Sequence, residues 1–192
     1  MRLSRRPALA LLVAGLLAAG ISPAAFATGS GSSAPTFATK SFGLSGGEPS
    51  IAFDKKSGAT FYATGGTKIL KFRTTRDGKL TGITDATPPV APRTLDTVMV
   101  EDQQTGRLFV SYLALACSLM ASTDDSGESW QQSEGCGPGS LLDHQTVGAG
   151  PLHAPLAGNN PLYDGAVYYC AQNSYNGACS VSLDGGRTFG PG

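Results

Sequence analysis

Ser182-Leu183-Asp184-Gly185-Gly186-Arg187-Thr188-Phe189 has a second copy upstream, Thr123-Asp124-Asp125-Ser126-Gly127-Glu128-Ser129-Trp130. Both run hydroxyl, any residue, Asp, any residue, Gly, any residue, hydroxyl, aromatic. That order predicts a tight hairpin. The leading hydroxyl and the Asp bond backbone groups of the turn, and Gly takes a left-handed conformation that a Cβ resists. The closing aromatic packs beneath the turn.

A longer repeat surrounds the hairpins. Glu48-Pro49-Ser50-Ile51-Ala52-Phe53-Asp54-Lys55-Lys56-Ser57-Gly58-Ala59-Thr60-Phe61 lies over Asp96-Thr97-Val98-Met99-Val100-Glu101-Asp102-Gln103-Gln104-Thr105-Gly106-Arg107-Leu108-Phe109 at a constant offset of 48. Acid meets acid, Asp54 meets Asp102, Ser57-Gly58 meets Thr105-Gly106, and Phe61 meets Phe109. A third copy opens at Asp143-His144-Gln145-Thr146-Val147-Gly148. It carries a longer loop, Ala149 to Asp164, before a strand over Gly165-Ala166-Val167-Tyr168-Tyr169. Short strands at a period of about 50 residues predict propeller blades.

Each repeat reads in one order. An inner strand starts at the acid, an Asp-x-x-Ser/Thr-Gly turn leads to an aromatic second strand, and a hairpin joins a third strand to an outer one. In the first repeat the third strand spans Lys68 to Thr74, and the hairpin has decayed to Thr75-Arg76-Asp77-Gly78-Lys79-Leu80. Ile69, Leu70 and Phe72 are consistent with a face buried against a neighbour. The blades are expected at about 48–92, 93–140 and 141–192. Residues 28–47 form a flexible, Gly/Ser-rich lead-in that supplies a strand near Phe42.

The two hairpins resemble the Asp-box, or BNR repeat, of sialidase-like β-propellers. The box residues are Thr123, Asp125, Gly127, Ser129 and Trp130, then Ser182, Asp184, Gly186, Thr188 and Phe189. The resemblance implies an all-β chain, a β-propeller of the sialidase-like type, with about three incomplete four-stranded blades. In that family the box lies on the outer rim, away from substrate, which implies a structural role. Sialidases also clamp the sugar carboxylate with arginines, whose planar fork binds a carboxylate bidentately. The first clamp arginine belongs to a Phe/Tyr-Arg-Ile-Pro segment, which this sequence lacks. Pro92-Arg93-Thr94 has another order, and Arg73, Arg76, Arg107 and Arg187 fall in turn or outer positions. No catalytic residue is carried over. Gly192 falls just after the third box, so the sequence reads as the N-terminal part of a longer protein. The alternative is a short protein that completes its ring by self-association.

Residues 1–27 read as a cleaved Sec-type signal peptide. Arg2, Arg5 and Arg6 precede the apolar run Ala8 to Ile21, and Ala25-Phe26-Ala27 offers a small-x-small cleavage site. The run is short for a bilayer span, and no later segment is longer. Ser4-Arg5-Arg6 is similar to a twin-arginine signal, but Ala8 stands where a bulky apolar residue is usual. The chain is expected to be secreted. Losing the leader removes three of the 14 basic residues and none of the 14 acidic ones. A mildly acidic mature chain argues against nucleic-acid or anionic-membrane partners. Four Cys in an exported chain predict two disulfides with three possible pairings. Cys117 and Cys136 flank the first box, and Cys170 and Cys179 flank an Asn-Gly turn, so local pairing is expected. Metal binding is the rival reading, without a Cys-x-x-Cys to support it.

Chemistry is expected at the channel mouth, where the inner strands begin. Glu48, Asp96 and Asp143, with His144 and Gln145 beside the last, would form part of an acidic ring. Such a ring could hold a cation through oxygen ligands or bind the polar groups of a sugar; alternatively each acid caps the turn into its blade. Calcium is compatible with the ring, but nothing else in the sequence requires it, and no cofactor or metal is assigned. Tyr163, Tyr168, Tyr169 and Tyr175 either stack on sugar rings or belong to the core. Ser140, Asp143 and His144 lie close in sequence without a Gly-x-Ser-x-Gly elbow. The expected function is binding or scaffolding, with a glycan or an extracellular protein as partner. The alternative is the opening part of an exo-α-sialidase-type glycoside hydrolase.

Overall fold

The computed structural model describes residues 37–89, 91–114, 117–136, 143–172 and 176–191. The expected leader, 1–27, and residues 28–36 of the lead-in lie outside them. Tyr175 and Ser140 lie outside them as well.

Three four-stranded antiparallel sheets follow one another along the chain, and the described residues contain no helix. Sheet I holds β1 (Ser50–Asp54), β2 (Ala59–Ala63), β3 (Ile69–Thr74) and β4 (Leu80–Asp85). Sheet II holds β5 (Thr97–Glu101), β6 (Leu108–Tyr112), β7 (Ser118–Thr123) and β8 (Gln131–Gly135). Sheet III holds β9 (Asp143–Gly150), β10 (Ala166–Gln172), β11 (Gly177–Ser182) and β12 (Gly190–Pro191). In each, the strands pair in chain order. Short connections between antiparallel neighbours make that order the least costly in loop closure.

The first turn of each of the first two sheets is the same device. Gly58 N–H donates to the Asp54 carbonyl at 2.8 Å, and Gly106 N–H donates to the Asp102 carbonyl at 2.7 Å. Both glycines are left-handed, at φ +68° and +72°. The aspartates are fully buried. Each accepts from the backbone two residues on and from the hydroxyl three residues on: Lys56 N–H and Ser57 Oγ for Asp54, Gln104 N–H and Thr105 Oγ1 for Asp102. Hydrogen bonds to the charged form stabilise a buried carboxylate. Burial pushes both groups up, and the hydrogen bonds outweigh it, so both sit below the usual range.

The offset of 48 reappears as register. Ala52 pairs with Phe61, Val100 with Phe109 and Gly148 with Tyr168. Side chains alternate across each sheet, so every strand has one set facing the preceding sheet and one facing the following sheet. Ala52, Ala59, Phe61, Ala63 and Ile69 of sheet I meet Met99, Leu108, Val110, Tyr112 and Ala121 of sheet II in one core cluster. Phe109 and Met120 meet Val147, Tyr163, Val167 and Tyr169 in a second. The core is therefore divided between two joints rather than gathered in a single layer.

The repeated hairpins have the expected hydrogen bonds and an unexpected reach. Ser182 Oγ and Thr123 Oγ1 each bond the Asp two residues on, at 2.7 Å, and accept from the Gly N–H four residues on. Asp184 and Asp125 then accept from the backbone N–H and hydroxyl of Thr188 and Ser129. The hairpins also touch the preceding sheet. Ser126, at φ +60°, donates to Asp54. The Gly185 carbonyl accepts from Arg107 at 2.9 Å. A Cβ on Gly127 would sit 3.0 Å from Phe61, and one on Gly186 would sit 2.7 Å from Phe109. Glycine is thus required here for close approach as well as for backbone conformation. Trp130 and Phe189 pack, half-buried, into the two joints.

Three expectations change. Phe42 lies outside any strand; its ring stacks on Tyr62 at 5.6 Å and meets Phe72 at 5.7 Å. In the described part of the lead-in, Phe42 covers an apolar face instead of joining a strand. The outer strand of sheet III, expected beyond the sequence, begins at Gly190, where Val181 pairs with it. The third inner strand runs to Gly150, two residues into the expected loop. Both disulfides join the local pairs, Cys117 with Cys136 and Cys170 with Cys179, the second directly across β10 and β11.

Candidate functional site

The inner strands β1, β5 and β9 lie side by side, so their starts gather at one end of the sheets. Glu48 and Asp96 form a single parallel bridge just ahead of β1 and β5. Glu48 N–H donates to the Leu95 carbonyl at 2.9 Å, and Gly47 N–H to the Gly65 carbonyl at 3.1 Å. Glycine permits that approach: a Cβ on Gly47 would lie 2.2 Å from the Leu95 oxygen, and one on Gly65 would lie 2.5 Å from the Glu48 backbone.

Asp96 is the most constrained of the candidate residues. Its carbonyl accepts from Leu113 N–H, Thr94 Oγ1 and Gln145 Nε2, at 3.1–3.2 Å. Gln145 is buried and also donates to the Ser111 carbonyl, while its own oxygen accepts from Ser118, which is bonded to Tyr169. This network pins the Asp96 backbone from sheet III. The side chain is treated differently. Asp96 is only 8% exposed, and its Oδ1 is buried with no hydrogen-bond partner. Burial pushes the carboxyl up, the nearby charges of Glu48 and then Asp143 push it further, and His144 offsets part of this. Oδ1 of Asp96 therefore does not serve as a turn cap, the alternative that the sequence left open.

Asp143 and His144 stand at the open start of β9. Both side chains are largely exposed, with His144 Nε2 3.7 Å from Asp143 Oδ2. His144 has φ +44°, and the β9–β10 register shifts between Cys170 and Gln172, beside this point. A non-glycine residue in that region is uncommon and locally strained. Glu48, Asp143 and His144 are thus near enough to act on the charge of Asp96. They do not form a ready cation cage, because their ligand atoms do not converge within 4.8 Å. The one such cluster among the described residues is Cys117, Glu134 and Cys136, and both sulfurs there are spent in a disulfide.

A pocket of about 610 Å³ opens at the same end, lined by Ser45, Gly46, Gly66, Thr67, Arg93, Thr94 and Leu95. It adjoins Glu48 through Leu95. Nothing in the local sequence marks Arg93 beyond its mismatch with the clamp segment. The paired glycines Gly46-Gly47 and Gly65-Gly66 were the available signal of backbones in close approach. Three other arginines are engaged elsewhere. Arg107 bonds Asp124 and the Gly185 carbonyl, Arg73 bonds the Ser57 carbonyl, and Arg187 bonds Gln131.

Of the tyrosines, Tyr163 and Tyr169 are buried in the second joint. Tyr163 hydroxyl donates to Asp102 and lies 2.9 Å from Thr105 Oγ1, tying the long loop to sheet II. Tyr168 is exposed.

No protein-family model matches the chain, and no curated protein does. Among solved structures it is similar to the Hadza microbial sialidase Hz136, at TM-score 0.49 and 13% identity, over 75% of this chain and 32% of that one. It is also similar to a variant of NanB sialidase from Streptococcus pneumoniae, at TM-score 0.44 and 16% identity, over 64% of this chain and 18% of that one. The chain thus spans about a third of the first and under a fifth of the second. No helix among the described residues is long and apolar enough to cross a membrane.

Proposed function

We propose that this chain is an exported binding module of the propeller type, whose ligand docks at the inner-strand end formed by Glu48, Asp96, Asp143 and His144. The adjacent inner strands and the two equivalent joints support reading the sheets as blades and the hairpins as Asp-boxes. The two disulfides fit an oxidising compartment. The observation that carries the binding reading is the unpartnered, buried Oδ1 of Asp96. A buried acceptor without a donor costs about 1–3 kcal/mol, and a ligand that opened this end of the sheets far enough to supply a donor would recover that cost. The hydroxyls of a glycan supply such donors, and the pocket beside Arg93 offers room for a neighbouring acidic or polar group. The alternative is the opening part of a sialidase-type glycoside hydrolase.

The test is a glycan-array screen of the secreted protein, repeated with Asp96→Asn and Glu48→Gln. Specific hits that both variants lose, without a lowered melting temperature, would support the reading. An array without hits, or hits that both variants keep, would refute it.

A further inference from the structure

The inner-strand end of the sheets is short of positive charge. Segments 45–49, 64–68, 91–96 and 143–145 build that end, and their acids are Glu48, Asp96 and Asp143. Their basic residues are Lys68, Arg93 and His144. Lys68 is taken up by Asp85, and Arg93 lines the neighbouring pocket. His144 lies 3.7 Å from Asp143 and offsets only part of the charge felt by Asp96. The hairpin end differs: there Arg107 answers Asp124, and Lys71 answers Glu128.

The three acids are also unequal. Glu48 and Asp143 are exposed, whereas Asp96, on the middle inner strand, is buried with an unpartnered Oδ1. Direct contact with that oxygen requires the end to open. Its charge, however, acts over several ångströms at the effective dielectric of a protein surface. Burial and then the repulsion of Glu48 and Asp143 push the Asp96 carboxyl up. A neutral hydroxyl leaves that repulsion in place, and a cation relieves it. A single metal ion is the wrong cation. No three of Glu48, Asp96, Asp143 and His144 bring ligand atoms within 4.8 Å of one another, whereas a calcium ion holds its oxygens at about 2.3–2.6 Å. Acceptors set that widely suit a ligand whose donors are spread around a ring.

Building on the binding role proposed for this end, we propose that its ligand is a cationic glycan, one whose sugar carries a free amino group drawn to Glu48, Asp96 and Asp143. The ammonium brings three N–H donors and one charge. The exposed carboxylates of Glu48 and Asp143 accept from it and from adjoining hydroxyls, as charge-assisted hydrogen bonds. Asp96 adds its charge from beneath. The pocket of about 610 Å³, with Ser45, Thr67 and Thr94 in its lining, has room for a neighbouring sugar. A lysine side chain of a protein brings the same charge without the hydroxyls that such spaced acceptors use. A field of one sign also raises the local concentration of a cationic ligand, and salt weakens that effect.

Three glucose-based oligosaccharides of equal length and linkage, differing only in an amine, an acetamide or a hydroxyl at carbon 2, test this. Calorimetric titration of the full chain at about pH 6 keeps ordinary carboxylates, at about 4, ionised. The amine form should bind at least about tenfold more tightly than the other two, and added salt should erase most of that margin. Glu48→Gln and Asp143→Asn replace exposed side chains, and each should cut the margin about threefold, as for exposed charge pairs. Asp164→Asn, an exposed acid at the hairpin end, should leave the margin intact. Equal affinity for the three forms, or a preference for acetamide or hydroxyl, overturns the cationic ligand and leaves the binding reading standing. A margin that Asp164→Asn cuts as much as Glu48→Gln does so as well. Binding of none of the three also overturns the cationic ligand, while the array hits decide the binding reading on their own.

Discussion

Replacing Gly186 by Ala separates two demands that the hairpin makes on one residue. The backbone stands at φ +84°, and an ideal Cβ would lie 2.7 Å from Phe109 Cε1 and 3.2 Å from Cδ1. The left-handed conformation costs a non-glycine residue about 1–2 kcal/mol. The overlap with a ring held in a packed joint adds about 1–3 kcal/mol, since Phe109 is fully buried and has no free direction to move. Together these predict a loss of about 2–5 kcal/mol, or a melting temperature lower by about 4–20 °C for a domain of this size. Gly58→Ala is the control: φ is +68° with nothing within 4 Å, so only the backbone cost applies. Gly127→Ala falls between, because Phe61 at 3.0 Å and Ala86 at 3.4 Å need yield only a few tenths of an ångström. Thermal unfolding of the oxidised protein followed by circular dichroism gives the order. If Gly186→Ala costs no more than Gly58→Ala, the hairpin does not bear on the preceding sheet, and the account of the joints is wrong.

Acid should weaken the hairpins. For Asp184 burial pushes the carboxyl up, but hydrogen bonds from Thr188, Ser182 and Arg187 outweigh it and hold the group at about 2; hydrogen bonds from Ser129 and Thr123 hold Asp125 at about 2. Their stabilisation is complete above the unfolded value of 3.8 and is lost as pH falls through about 2, so melting temperature should drop across that window, and less so in an Asp125→Asn, Asp184→Asn double variant. Asp96 has the opposite sign. With its carboxyl raised, ionisation weakens the fold, so Asp96→Asn should melt higher than wild type at neutral pH, with the gain vanishing below 3.8; a variant that melts lower at pH 7 would contradict the orphaned oxygen. Tyr163→Phe removes a donor to buried Asp102 and should cost about 1–3 kcal/mol, with the Asp102 carboxyl rising in an NMR titration; an unmoved Asp102 would show that Tyr163 does not hold it.

What the sequence made legible was periodic. The two hairpins, the two Asp-x-x-Ser/Thr-Gly turns and the offset of 48 all state backbone requirements, and such requirements are local. Phe42 reads as part of a strand because its role depends on a face 20 to 30 residues away whose own hairpin ends without an aromatic; nothing around Phe42 encodes that lack. Gly127 and Gly186 were read for conformation alone, since only coordinates show which ring they approach. At the candidate site, the repeat placed Glu48, Asp96 and Asp143 at one end of the sheets. It could not show that Gln145 reaches across to fix Asp96 by its backbone and leaves the carboxyl unmet. Arg93 and its pocket were missed for a related reason: the lining comes from three separated segments, 45–46, 66–67 and 93–95.

Three aspartates of the repeat are buried, and the fold answers two of them. Asp54 collects donors from Lys56, Ser57 and, across the joint, Ser126. Asp102 collects them from Gln104, Thr105 and, across the joint, Tyr163. In both cases the neighbouring sheet supplies the last donor, so satisfying the carboxylate and docking the next sheet are one event. Asp96 lies in the same joints, with Gln145 of the next sheet within reach, and that donor goes to the backbone carbonyl instead. Hydroxyls of Ser111 and Tyr112 are buried without partners as well, so donors were at hand in composition. A chain that satisfies two buried carboxylates by one recurrent device sets the third between two further acids, and it is on this difference that the proposed binding role of Asp96 rests.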